Sequence, residues 1–329
     1  MVRSHDIACD IPLDAPGRVS GSYHVPHSSD AHPFGFRGPI GVVNGTAGPT
    51  LTLIGGVHGD EYQGPTVLSR LFHEIDPGML RGRVVVLPAL NTPAFEAAAR
   101  CSPLDGGNLN RAFKTARQDL PTEAIAGWLE ETILPLSDAV IDIHAGGKAS
   151  VFANVTMINV GETEREANLA LARAFGLPLI WKMGALNAPT SVNSAASRVG
   201  VPMMACELGG AGGSDVETVA LGHAGVRGVM RHLGMIDGAA PAADGFVTAT
   251  LPGRDHVVTA PRAGLFEPLV EPGMAVEAGD ELGTLHDLAD LAQPPVHILA
   301  PVPGIVVMRH WRPTVSFGTR LVMLLRPDP

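Results

Sequence analysis

The sequence predicts an α/β protein in which a mostly parallel sheet is flanked by helices, followed by a small all-β domain. Two observations predict the first part. Between residues 50 and 235, short apolar runs alternate with segments of helical spacing, as in strand–helix units of a parallel sheet. Some of these runs are almost continuously apolar, which is typical of strands buried on both faces. Beyond residue 245 no helical pattern is convincing, and closely spaced turn residues predict the β domain.

The N-terminal residues predict edge structure that leads into the core. Residues 1–45 contain short alternating stretches broken by proline and glycine, so strands and loops are expected there. The first buried strand is expected at 50–55, where an apolar run ends in glycine. A helix follows at 64–75, and a second buried strand is expected at 83–90.

The same alternation continues to residue 235. Apolar runs predict two further buried strands, and helical spacing predicts three further helices. The strands are expected at 139–144 and 202–210, and the helices at 123–134, 162–175 and 216–233. Because glycines follow the polar ends of both strands, these strand ends are candidate sites for chemistry.

The composition changes at residues 236–246, which are rich in alanine, proline and glycine. We therefore expect one domain over residues 1–240 and a C-terminal β domain over 245–329. The Pro-Gly, Ala-Gly-Asp and Ala-Pro-x-x-Gly spacing of the second domain resembles a biotinyl/lipoyl-type β-sandwich. No lysine lies at the hairpin where such carriers are modified, so a swinging-arm role is not expected.

Composition limits the classes of partner and compartment. The 329 residues have a formal net charge of −10, which argues against a nucleic-acid or anionic membrane surface. The three cysteines are far apart and form no CxxC motif, so a reducing compartment fits. No signal-peptide pattern and no run of about 18 apolar residues is present, which predicts a soluble cytoplasmic protein. The sequence leaves open whether the chain forms a homo-oligomer.

Three residues near strand ends predict a metal site. His58 and Glu61 lie between the strand at 50–55 and the helix that follows it. Alone, they are better explained as a loop histidine and a first-turn carboxylate favoured by the helix dipole. His144 ends another buried strand, and the carboxyl ends of parallel strands meet at one sheet edge. Two imidazoles and one carboxylate are a zinc ligand set that leaves a position for water, so we expect one Zn²⁺ per chain.

Two carboxylates near these ligands have candidate roles. Asp142 lies two residues before His144 on the same face of its strand, so it is either an outer partner of that ligand or a polar strand residue with its own hydrogen bonds. Glu207 follows the apolar run 203–206 and is predicted to be the general base for a zinc-bound water. The alternative for Glu207 is a carboxylate paired with a neighbouring lysine or arginine.

Two polar groups between the ligand motifs are candidates for contacting substrate. Asn110 and Arg111 can fork onto a substrate carboxylate, or they can be a loop-capping asparagine beside a solvated arginine. Arg100 is a candidate for polarising the scissile carbonyl and holding the developing oxyanion. Its alternative is a partner of the helix dipole at the end of the helix-like stretch 94–99.

Four short motifs occur in order within residues 50–235: His-Gly-Asp-Glu, Asn-Leu-Asn-Arg, Asp-Ile-His and Cys-Glu-Leu-Gly-Gly. Together they resemble the succinylglutamate desuccinylase/aspartoacylase family of zinc carboxypeptidase-like hydrolases, and the β domain resembles the domain appended in that family. The resemblance implies a zinc carboxypeptidase-like fold and a role for each candidate residue. The zinc ligands would be His58, Glu61 and His144, the general base and acid Glu207, and the clamp for the substrate carboxylate Asn110 with Arg111.

Asn108 departs from the family pattern, and one family residue has no fixed position in it. Many members have aspartate where this chain has Asn108, and a neutral amide that orients a ligand histidine would tune the metal water less strongly. The oxyanion arginine of the family has no fixed spacing, and Arg100 is its nearest match here.

Within the family, the stretch 102–113 and the chain length are most similar to the N-acetyl-diaminobutyrate deacetylases of ectoine breakdown. The resemblance implies a zinc-dependent amidohydrolase that deacylates a small N-acyl amino acid such as N-acetyl-2,4-diaminobutyrate. Alternatives are a deacylase of the N-succinylglutamate or N-acetylaspartate type and a zinc carboxypeptidase acting on short peptides. A non-enzymatic metal-binding or carrier-like protein is a third class.

Overall fold

A computed structural model describes residues 3–27, 34–114, 119–161, 164–184, 187–239 and 245–329. The strands are, in chain order, β1 (Ala8–Cys9), β2 (Gly17–Val25), β3 (Phe36–Asn44), β4 (Thr46–Gly55), β5 (Arg81–Leu87), β6 (Ala139–His144), β7 (Ser150–Asn159), β8 (Leu179–Met183), β9 (Met203–Gly210), β10 (Val247–Thr250), β11 (Val257–Thr259), β12 (Gly264–Pro268), β13 (Ala275–Val276), β14 (Glu281–His286), β15 (Val296–Leu299), β16 (Gly304–His310), β17 (Thr314–Val315) and β18 (Arg320–Pro327). All strands expected in the first part are present.

The helices confirm the predicted pattern with shifted ends. They are α1 (Gln63–Glu74), α2 (Thr92–Glu96), α3 (Pro121–Trp128), α4 (Arg165–Phe175), α5 (Val192–Val199) and α6 (Val216–His232). A π-helical turn (Leu129–Ile133) and a 3-10 turn (Leu134–Leu136) continue α3. The predicted start of α4 at residue 162 lies outside the described residues. Helix α5 and strands β7 and β8 were not predicted.

The central sheet is mixed, whereas the sequence predicted a mostly parallel one. Strands β5, β4, β6 and β9 are neighbours in that order and run parallel. Strands β7, β8 and β10 are parallel to one another, but β7 pairs antiparallel with β9. The chain therefore reverses direction within residues 145–149, and β1, β2 and β3 add antiparallel strands beyond β5.

Helices cover both faces of this sheet. Alternate residues of the buried strands point to opposite faces, so each strand contributes to two separate cores. One core joins Leu53 of β4 to apolar residues of α1, α4 and α6, and the other joins Ile54 to α3 and α5. Each fully buried side chain of this kind contributes about 1.5–3 kcal/mol. The packing holds the carboxyl ends of β4, β6 and β9 side by side.

The C-terminal strands continue the same sheet and close part of it into a ring. Strand β10 pairs with β8 and β18, β18 pairs with β16, and β16 pairs with β7. This strand ring (β7, β8, β10, β18, β16) has five pairings, of which three are antiparallel. An odd number of antiparallel pairings cannot close a ring of straight strands, so at least one strand must bend. Strand β7 shifts register between Phe152 and Val155, as a bulge that bends a strand does.

A second sheet completes the C-terminal region. Its strand order is β15-β14-β12-β17. It shares with β18 of the first sheet a hydrophobic core that includes Phe266, Leu282 and Leu324. The division into residues 1–240 and 245–329 stays a prediction, as does the biotinyl/lipoyl-type description, and part of the predicted linker lies outside the described residues. Over the described ranges, every helix is too short or too polar to cross a bilayer. The cytoplasmic location stays a prediction.

Candidate metal centre

Three side chains that could hold a metal ion meet at the carboxyl edge of the central sheet. His58 and Glu61 lie in the loop between β4 and α1, and His144 is the last residue of β6. Their ligand atoms all lie within 4.8 Å of one another, and all three side chains are buried. Glu61 Oε1 is 2.8 Å from His58 Nδ1, and Glu61 Oε2 is 2.9 Å from His144 Nδ1. The fold thus brings together the three residues predicted as ligands.

Each imidazole is oriented by an oxygen atom on its other side. His58 Nε2 lies 3.2 Å from Asn108 Oδ1, which also accepts a hydrogen bond from the Asn110 backbone N–H at 3.0 Å. Because that oxygen can only accept, His58 Nε2–H donates to it, which leaves Nδ1 as the ring atom that could bind a metal. His144 Nε2 lies 2.8 Å from Asp142 Oδ2 in the same manner. Both rings therefore direct Nδ1 to one point, with outer partners typical of metal ligands.

The charges at this point fit a divalent cation. Burial alone would raise the pKa of Glu61, but His58 and His144 more than offset it and hold the pKa well below its usual value. Burial alone would lower the pKa of His144, and Asp142 and Glu61 instead raise it well above the ordinary value. A carboxylate between two inward-facing Nδ1 atoms is a donor set that Zn²⁺ accepts. The residues present therefore fit the metal that the sequence predicts.

Glu207 lies beside this group. It is within β9, and its register partner across the parallel pairing is His144. Its Oε2 atom is buried and has no hydrogen-bond partner among the residues that the structure describes. Burial, assisted by the negative charge of Glu61, raises the pKa of Glu207 to about 8. Such a carboxyl group exchanges a proton near neutral pH, which a general base requires.

Arg100 reaches the same group from a turn that follows α2. Its Nη1 atom donates to Glu61 Oε1 at 3.2 Å, and its side chain is half exposed. The helix-like stretch expected at 94–99 ends at Glu96, because Ala98 has a φ of 48° and turns the chain. Arg100 is therefore not a partner of a helix terminus, and that alternative is wrong.

Asn110 and Arg111 lie in a 3-10 turn (Leu109–Arg111) on another side of the site. Asn110 Oδ1 accepts a hydrogen bond from the backbone N–H of Val192 at 3.0 Å, so its carbonyl fixes the start of α5. Arg111 Nη1 donates to the backbone oxygen of Asn110 at 2.6 Å. Burial and the neighbouring Arg100 lower the pKa of Arg111, although an arginine stays charged. Asn110 therefore makes the capping contact that the alternative interpretation predicts. Its side-chain amide nitrogen can still face a ligand.

Six of the seven predicted site residues, all except Glu61, line one cavity of about 170 Å³: His58, Arg100, Asn110, Arg111, His144 and Glu207. Sequence reasoning missed the rest of its wall. The start of α5 contributes Ser191, whose Oγ accepts from the Ser194 backbone N–H at 3.2 Å, so a capping serine ahead of a helix was the available signal. Trp181 of β8 and Arg320 of β18 also line the cavity, and no local pattern identifies them.

Comparison with known proteins decides the family. The succinylglutamate desuccinylase/aspartoacylase catalytic domain matches residues 47–233. The chain belongs to this family. It is accordingly a hydrolase that acts on a linear amide.

Named relatives cover nearly the whole chain. An N-alpha-acetyl-L-2,4-diaminobutyric acid deacetylase of Halomonas elongata is 33% identical over 327 residues, which are 98% of this chain and 95% of the relative. The product-bound structure of the ectoine utilization protein EutE (DoeB) from Ruegeria pomeroyi has a TM-score of 0.92 at 34% identity, covering 97% of this chain and 98% of that one. A succinylglutamate desuccinylase/aspartoacylase structure from Rhodobacter sphaeroides has a TM-score of 0.91 at 33% identity, covering 98% and 99%.

Proposed function

We propose that this family member is a zinc-dependent deacylase of a small N-acyl amino acid, with N-acetyl-2,4-diaminobutyrate as its substrate. The observation that supports the metal chemistry is the convergence of His58, Glu61 and His144, with Glu207 beside them. The substrate is proposed because two relatives over nearly the full chain are a diaminobutyric acid deacetylase and an ectoine utilization protein.

The residues of the centre divide the work of amide cleavage. His58, Glu61 and His144 would hold Zn²⁺, which when bound lowers the pKa of a water molecule and polarises a carbonyl. Glu207 would take the proton that the attacking water releases and then donate it to the departing amine. The Arg100 guanidinium would face the acyl oxygen as negative charge develops there.

Another part of the cavity wall would hold the amino-acid end of the substrate. Arg111 presents a guanidinium and Asn110 an amide group, and both suit a carboxylate. The start of α5 lies on the same wall, and the N-terminus of a helix favours negative charge. A carboxylate bound there would leave the acyl group directed toward Glu207 and Arg100.

Metal analysis combined with a substrate panel tests this function. The purified protein is analysed for metals and then assayed with N-acetyl-2,4-diaminobutyrate, N-acetylaspartate, N-succinylglutamate and dipeptides. We expect one zinc per chain, fastest turnover of the first substrate, loss of activity on chelation and recovery on adding Zn²⁺.

The other outcomes are distinct. Faster cleavage of dipeptides would show a carboxypeptidase, and faster cleavage of N-succinylglutamate or N-acetylaspartate would replace the proposed substrate. One metal equivalent without any amide cleavage would contradict the enzymatic proposal itself.

A further inference from the structure

Three loops that surround the candidate metal centre are connected by the side chains of Asp60 and Lys148. The first loop contains His58 and Glu61, the second is the turn 97–100 that ends in Arg100, and the third is 145–149 after His144. Neither Asp60 nor Lys148 lines the cavity in which the chemistry is proposed. Asp60 nevertheless connects the first loop to the third, and Lys148 connects the second loop to the third.

Asp60 fixes the third loop against the first. It is almost fully buried, and its Oδ2 atom accepts the backbone N–H of Lys148 at 3.0 Å. Gly147 has a φ of 57°, and a Cβ atom there would lie 2.6 Å from the same oxygen, so the loop wraps closely around the carboxylate. A residue at position 147 must adopt a positive φ and must place no Cβ atom against the carboxylate, and only glycine does both without strain.

Lys148 then fixes the second loop against the third. The Lys148 side chain is exposed, and its Nζ atom donates to the backbone carbonyl of Ala98, the residue whose positive φ turns the chain. A second bond connects the same turn to the first loop, since the Gly59 backbone N–H donates to Ala99 O at 3.0 Å. A Cβ atom at Gly59 would lie 1.9 Å from the backbone of Ala94, so the first loop also touches helix α2, which leads into this turn, at backbone distance.

Arg100 follows this turn directly. Its contact with Glu61 Oε1 is 3.2 Å long and its side chain is half exposed, so that contact alone does not fix the guanidinium. An ammonium–carbonyl hydrogen bond two residues earlier restricts the backbone from which the guanidinium extends. A left-handed alanine persists only where surrounding contacts hold it, and Lys148 supplies one of them.

We propose that Lys148, held by Asp60, is a positioning residue that sets the turn 97–100 and thereby aims Arg100 at the reacting carbonyl. The proposal rests on the proposed function, because it assigns Arg100 to the acyl oxygen. It concerns the position of a charge rather than the binding of the metal or of the substrate carboxylate.

The test is a double-mutant cycle of Lys148→Met and Arg100→Ala. Lys148→Met keeps most of the aliphatic stem but removes the donor, and we expect kcat to fall at least tenfold with KM changed less than threefold. In the Arg100→Ala background the same substitution should change kcat less than twofold, because contacts that act through one group are not additive. Lys148→Arg should restore part of the rate. Zinc content and melting temperature should stay at wild-type values.

A second measurement does not depend on activity. Hydrogen exchange of the peptide that spans residues 97–101 should accelerate in Lys148→Met and stay unchanged in Arg70→Met, a control that removes an exposed ion pair on α1. Unchanged exchange in this peptide, or equal loss of kcat with and without Arg100, would overturn the proposal. Wild-type protein without deacylase activity would instead refute the proposed function, and the exchange result would still decide whether Lys148 sets the turn.

Discussion

The substitution Glu207→Gln separates proton transfer from metal binding. The side chains have the same shape, and within the described part of the chain Glu207 Oε2 has no hydrogen-bond partner that an amide would lose. With a pKa of about 8, the carboxyl of the metal-free protein is about nine-tenths protonated at pH 7. Glutamine therefore resembles its main form, and we expect an unchanged melting temperature and full zinc content.

Activity should respond very differently. A positioned acid–base group contributes about 10²–10⁴-fold to rate, which corresponds to about 3–5 kcal/mol of barrier. Because Glu207 would act twice, on the water and on the amine, we expect a loss in the upper half of that range. Initial rates of acetate release from N-acetyl-2,4-diaminobutyrate, with zinc measured on the same samples, give kcat and KM. Glu74→Gln, at an exposed carboxylate of α1, is the matched control.

The pH dependence of stability provides an independent check on metal-free protein. The folded pKa of Glu207 is raised from its ordinary 4.5 to about 8. The folded state then binds more protons at Glu207 than the unfolded state does between these values, so the contribution of Glu207 to stability is complete below pH 4.5 and decreases as pH rises toward 8. Glu207→Gln should remove this decrease.

A variant that retains zinc and turns over within tenfold of wild type would remove Glu207 from the mechanism, and a variant without zinc would make it a binding residue.

Three further predictions concern the outer partners and the scaffold. Asn108→Asp places a carboxylate on His58 and should tighten zinc binding about tenfold in a chelator competition, and weaker binding would show that the amide is the better partner. Asp215→Ala removes the N-cap of α6, whose Oδ1 accepts the Thr218 N–H at 2.9 Å, and should lower the free energy of unfolding in urea by about 1 kcal/mol. Partial burial alone would raise the pKa of Asp215, but hydrogen bonds lower it. The stability difference between wild type and Asp215→Ala should therefore be complete above the unfolded pKa of about 3.9 and disappear as pH falls through the folded pKa. A stability difference that grows in acid would contradict this prediction. Leu325→Ala empties a fully buried site in the strand ring and should cost about 2–5 kcal/mol, whereas a loss below about 1 kcal/mol would indicate loose packing there.

The metal centre could be predicted because its geometry follows from strand ends. His58 and Glu61 come after one buried strand and His144 ends another, so a sheet that aligns these strands necessarily brings the side chains together. Arg100 was less certain, since apolar spacing over 94–99 also suits a helix. The deciding feature is the positive φ of Ala98, which a sequence of alanines does not reveal.

The direction of strand pairing could not be predicted in the same way. An apolar run such as β7 is compatible with either direction, and the reversal at residues 145–149 depends on contacts with β9 far along the chain. The same limit applies to Arg320 of β18, which reaches the cavity only because the strand ring closes. Local patterns therefore identified the candidate ligands that the fold brings together, and long-range pairing determined the walls around them.

The closed strand ring also has a consequence for the order of events during synthesis. Residues 150–183 supply β7 and β8, but their remaining partners in the ring are β10, β16 and β18, as distant as residue 327. Such non-local pairings form slowly, since a long loop must lose conformational entropy on closing before any contact stabilises it. The emerging polypeptide can align its candidate metal ligands well before Arg320 leaves the ribosome. A nascent chain would therefore have the candidate metal site before it has a finished pocket, with the free edges of β7 and β8 exposed to chaperones in the interval.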